Sequence, residues 1–97
     1  MSTQLETEVA ATIARLIEIA LRDTGQSGRV ANFLLAWHNA PENGGWDPTE
    51  LWAVDQQIAS DMLKVLHLVR LTHRYPAELG FEKELGQVWN RWRGTKR

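Results

Sequence analysis

The sequence predicts an all-α fold, a compact bundle of four to five helices with a long central helix. Three observations carry that prediction. Apolar residues recur at steps of three and four along most of the chain, no stretch alternates as a strand would, and each periodic run is bounded by residues that start or stop helices. With 97 residues, 43% of them hydrophobic and 24% charged, and only three Pro, the composition is that of one folded domain spanning 1–97, with about 94–97 as a frayed tail.

The first helix carries Leu5, Val9, Ile13, Leu16, Ile17, Ala20 and Leu21 on one face, and Thr3 with Glu6 has the spacing of a capping box. "DTGQSG" at 23–28 ends it through Gly25 and Gly28, and Ser27 is placed to cap a second, short helix with Val30, Phe33, Leu34 and Trp37, running up to Pro41. "DPTE" at 47–50 then reads as a helix start, with Asp47 as N-cap, Pro48 in the first turn and Glu50 reaching back. The helix it opens, from about Pro48 to Tyr75, is the expected central one. Leu51, Ile58, Met62, Val65, Leu66 and Val69 line one face, Leu63, Leu68 and Leu71 lie elsewhere, and Asp55 marks a place where it can bend. Pro76 closes it and begins a short turn. Phe81, Leu85, Val88, Trp89 and Trp92 form the last amphipathic stripe.

Composition narrows the function. The absence of Cys removes disulfides, zinc-thiolate sites and Cys nucleophiles. The acidic N-terminal segment is unlike a signal peptide, and no apolar run nears the ~20 residues that span a bilayer, so the expected location is the cytoplasm, away from membranes. His38, His67 and His73 are too scattered to converge with Asp47, Asp55 or Asp61 on a metal. There is also no phosphate loop, nucleophile elbow or HExxH pattern, and the reading is a non-enzymatic protein without metal or cofactor.

The net charge of −1 hides a polarity: residues 1–61 hold nine acids and three bases (−6), residues 62–97 three acids and eight bases (+5). Lys64, His67, Arg70 and Arg74 share one side of the long helix, and "WNRWRGTKR" at 89–97 adds Arg91, Arg93, Lys96 and Arg97 beside Trp. Nucleic-acid binding through these bases is the alternative reading. Leu63 and Leu71 interrupt the basic side, and the chain as a whole is slightly acidic.

The stretch "WHNAPENGGWD" at 37–47 is first a connector, with Gly44 and Gly45 supplying a tight reversal. Trp37, Trp52, Trp89 and Trp92 are assigned to the core or its margin. Trp46 lies outside every stripe, so it either folds back as a lid or projects as an anchor, and exposed Trp is a typical interface hot spot. The candidate partner-binding set is therefore Trp46, His38, Glu42 and Asn43. A half-exposed apolar stripe closes equally well within one chain or across a homodimer.

"FLLAWHNA" at 33–40, "GGWD" at 44–47, "LWAVD" at 51–55, "IASDML" at 58–63 and "YPAELGFEKEL" at 75–85 together resemble a family of small bacterial proteins of unknown function, often encoded on integrative elements, plasmids and related mobile DNA. The resemblance covers roughly residues 25–93, and "GGWD" followed by "LW" and "DM" is its specific part. That family carries an aromatic residue where this chain has His38, which weighs against His38 chemistry. The resemblance implies an accessory protein that binds a host or element-encoded protein, inhibition of a host defence complex being one form, with self-association and transcriptional regulation beside it.

Overall fold

The computed structural model describes residues 2–94, and their side chains from residue 7 onward. Thr3, Leu5 and Glu6 as side chains, and Lys96 and Arg97 altogether, lie outside the described residues. The described chain folds into α-helices α1 (Ser2–Ala20), α2 (Gly25–Asn43), α3 (Gln56–Thr72) and α4 (Glu82–Trp92), with 3-10 helices at Pro48–Ala53 and Pro76–Leu79.

Val9, Ile13, Leu16, Ile17 and Ala20 turn one face of α1 inward against α2 and α3. From α2 come Val30, Ala31, Phe33, Leu34 and Leu35, from α3 Ile58, Met62, Val65 and Leu68, and from α4 Leu85 and Val88. The radius of gyration is 12.6 Å, close to the ~13 Å of a compact domain of 100 residues. All the buried residues therefore share one core.

Three helix boundaries differ from the sequence reading. The cap of α2 is Thr24, whose hydroxyl accepts from Ser27 N (3.1 Å) while Ser27 Oγ accepts from Thr24 N (3.2 Å). Ser27 is thus the third residue of a capping box rather than the cap, and Gly25 and Gly28 lie inside α2. Gly28 is where Trp92 packs, 3.4 Å from the position a Cβ would take. Nor does α2 stop at Pro41. It bends at Asn39 (φ −167°, ψ 80°), which absorbs the steric conflict Pro creates with the preceding turn, and ends at Asn43, before Gly44 at φ 97°. Only Gly44 of the Gly-Gly pair uses a positive φ.

The expected long central helix is two elements. Pro48–Ala53 is a 3-10 helix, Val54 is extended, and α3 begins after Asp55. Asp55 is the predicted break, although its side chain makes no capping bond. It is held instead by Gln26, whose Oε1 accepts from Asp55 N (2.6 Å) and whose Nε2 donates to Asp55 Oδ2 (3.3 Å). Asp47 does cap the 3-10 helix, accepting from Thr49 N and Thr49 Oγ1, both at 2.9 Å. Those two bonds, the backbone one foremost, hold its carboxyl below the ordinary carboxylate value. Glu50 does not reach back; it pairs with Arg29 at 3.3 Å.

α3 is buried on one face only, with Leu63 and Leu71 half exposed. Asp61 is the exception on the buried face. At 1% exposure it receives Arg15 Nε (3.2 Å) and Nη2 (3.0 Å), with Gln57 Nε2 at 3.1 Å. This bidentate pair joins α3 to α1, and the hydrogen bond and charge of Asp61 raise the Arg15 pKa further. Below it, Glu8 and Val9 of α1 share a groove with Leu63, Lys64 and His67 of α3, so the two helices run antiparallel.

Candidate functional site

The bend at Asn39 and the connector after it arrange most of the residues singled out in the sequence. Pro41 denies the helix a backbone donor, and Asn39 and Glu42 close the resulting turn on each other. Glu42 N donates to Asn39 Oδ1 and Asn39 Nδ2 donates to Glu42 Oε1, both at 3.3 Å. Glu42 is exposed, but its carboxylate is engaged in the bend. His38 lines a shallow concavity of about 450 Å³ together with Trp37, Asn39, Pro41 and Tyr75. Its Nδ1 is buried without a hydrogen-bond partner among the described residues. Trp37 is half buried and its Nε1 donates to Arg74 O (3.0 Å), tying α2 to the end of α3.

Asn43 is a structural residue, not part of an open loop. It is 9% exposed; its Nδ2 donates to Leu35 O (3.1 Å) and its Oδ1 accepts from Trp89 Nε1 (3.1 Å). Its own carbonyl takes Arg93 Nε (3.4 Å) and Nη2 (3.3 Å), and Arg93 Nη2 also donates to Asn32 Oδ1 (3.0 Å). Both ends of its amide are therefore used to lock α4 onto the bent end of α2, which leaves nothing for a partner to read.

The two Trp of the connector take opposite positions. Trp46 folds back: its ring meets Phe33 edge-on at 5.0 Å and 69°, in an apolar cleft lined also by Ala36, Val65, Leu66 and Val69. Between the two sequence alternatives it is the lid, half buried, with Nε1 lacking a partner among the described residues. Trp52, assigned to the core margin by its sequence, is 85% exposed. The physical reason is the 3-10 turn. At three residues per turn, Pro48 and Leu51 share a face and Leu51 packs on the core, so the next residue is rotated about 120° away from it. Arg29–Glu50 on one side and Gln26–Asp55 on the other fasten this turn to α2, so Trp52 projects from an anchored segment.

The basic residues do not converge on one surface. Arg91 Nε donates to Arg22 O (3.0 Å), its Nη2 lies 3.5 Å from Asp23, and its guanidinium sits over the Trp92 ring at 5.4 Å. Arg93 is spent on Asn43 and Asn32. Lys64, His67 and Arg70 are exposed along α3, and Arg74 and His73 follow at its end, His73 as the left-handed residue (φ 55°) that terminates the helix. Trp92 is half buried, donating from Nε1 to Ala20 O (2.6 Å), whereas Trp89 is 40% exposed and belongs to the rim rather than the core.

Among the described residues no group of three or more His, Cys, Asp or Glu side chains is placed to hold a metal, and no helix is long and apolar enough to cross a membrane. What the sequence reading missed was Trp52 as an exposed aromatic and the Arg15–Asp61 pair. Asp61 had a legible signal, since it falls in the stripe Ile58, Met62, Val65 and Leu68, where a carboxylate demands a cation. No curated protein and no solved structure matches the chain. A family match does exist over residues 10–93, which takes in the core of α1 and every later element, and on it the chain belongs to DUF7673, a family of unknown function.

Proposed function

We propose that the chain is a non-catalytic protein-interaction module, a small bacterial accessory or regulatory protein of a mobile genetic element that acts in the cytoplasm on a host complex by presenting a surface. The observation that carries this reading is Trp52, 85% exposed on a turn that is fixed at both ends to α2. An anchored backbone presents the indole without ordering a loop when a partner covers it, and Trp is enriched among the residues that dominate interface energies. The concavity beside His38 and Tyr75, itself 59% exposed, offers a second aromatic contact. Trp46 and Asn43 support this end of the molecule from within, and Glu42 closes the bend at its surface.

The test is affinity capture from the host cytoplasm with tagged wild-type protein and Trp52→Ala, both shown by circular dichroism to be folded, with nuclease-treated and untreated lysates compared. The expected result is a protein partner retained after nuclease and at raised salt, with recovery falling roughly tenfold or more in Trp52→Ala. Recovery of nucleic acid, with affinity falling steeply as salt rises and depending on Lys64 and Arg70, would replace this reading with nucleic-acid binding.

A further inference from the structure

The groove between α1 and α3 has two unlike banks. On the α3 side, Leu63 and Leu71 are 54% and 50% exposed and His67 lies between them, one helical stripe at steps of four. The charges flanking that stripe are Lys64 and Arg70, since Asp61, the acid of α3, is buried against Arg15. On the α1 side the exposed charge beside the groove is Glu8. Glu8 and Lys64 line the same groove, of about 390 Å³, yet neither is in an ion pair among the described residues. An acid of α1 and a base of α3 are thus brought side by side on one face, with Leu63 beside them.

We propose that this face is the interface of a two-fold homodimer, in which the α3 stripe of each copy lies in the α1–α3 groove of the other. A two-fold axis brings every residue of the patch against the patch itself, so the face has to be self-complementary. One acid alongside the bases of α3 meets that requirement: Glu8 of one copy faces Lys64 of the second, twice. Leu63 and Leu71, which α3 leaves in water in the single chain, are covered. An unrelated acidic partner would match the basic bank alone and leave Glu8 facing like charge. Trp52 is not needed for this contact, so dimerisation and partner capture are separate properties.

Sedimentation equilibrium over a range of protein concentrations tests the proposal. Wild type is expected at twice the 11.1 kDa chain mass. Leu63→Glu with Leu71→Glu is expected to weaken association by roughly 30-fold or more. Glu8→Lys and Lys64→Glu are each expected to weaken it about tenfold at low salt, and the two changes combined in one chain to restore it. These side chains are exposed, so folding is preserved, and circular dichroism verifies it. A wild-type monomer throughout the range, or a dimer indifferent to the Leu changes, would overturn the proposal, as would a double charge swap no better than the single ones.

Discussion

Arg15→Met is expected to lower the Tm by roughly 10–20 °C, the largest effect of any single surface-reachable change. The cost arises at Asp61, not at Arg15. Arg15 is half exposed, with 48% of its side chain in water, and Met preserves the aliphatic stem. Asp61 is 2% exposed as a side chain and would be left with only Gln57 to meet it. A buried ion pair is weak as net stabilisation, because both charges first lose their water, but removal of one member strands the other. The companion variant separates these effects. Arg15→Met with Asp61→Leu removes the stranded carboxylate and is expected to recover most of the loss, since Leu fits a stripe of Ile58, Met62, Val65 and Leu68. Thermal unfolding followed by circular dichroism measures both. A single variant as stable as wild type would mean that the pair does not join α1 to α3.

Asn43→Ala is expected to cost roughly 2–3 kcal/mol in urea unfolding. The substitution removes the donor to Leu35 O, which sits in the turn before the bend, and the acceptor of the Trp89 indole N–H. Leu35 is fully buried, so its carbonyl has no water to fall back on, whereas Trp89 is 40% exposed and partly does. Trp89→Phe, which breaks only the second bond, is accordingly expected to cost about 0.5–1.5 kcal/mol. Equal losses in the two variants would show that the bond to Leu35 contributes nothing, and that the bent end of α2 is held by apolar packing alone.

The helices were legible because their signals are local. Stripes at three- and four-residue steps, Asp47 ahead of Pro48, and Pro76 after Tyr75 each act within one or two turns. Asp47 kept its predicted role because an N-cap needs only the two residues after it. The cap of α2 was misplaced within a local motif, Thr24 with Ser27, and the other errors arise where a contact distant in sequence overrides a local rule. Pro41 reads as a stop, but the bend at Asn39 lets the helix run on to Asn43, where Trp89 and Arg93 from α4 supply its partners. Asn43 was therefore assigned to a loop. "DPTELW" reads as the start of a long α-helix, whereas the chain forms a 3-10 turn that ends before Asp55, with Trp52 in solvent. The turn is fastened by Arg29 and Gln26, more than 20 residues earlier in the chain. Leu63 and Leu71 lie off the buried stripe of α3 and stay half exposed, because whether a neighbour covers an apolar side chain is not written in the helix itself.

The opposite placement of Trp46 and Trp52 is the central claim about the site, and equilibrium urea unfolding of Trp46→Ala and Trp52→Ala tests it most directly. The expected loss for Trp46→Ala is roughly 2–3 kcal/mol, below the ~3–5 of a fully buried Trp because the ring is only partly buried. For Trp52→Ala the expected change is within about 0.5 kcal/mol, because the ring contributes surface and no packing. A stable Trp46→Ala beside a destabilised Trp52→Ala would contradict that claim, placing Trp52 in the core and returning Trp46 to the surface as the anchor.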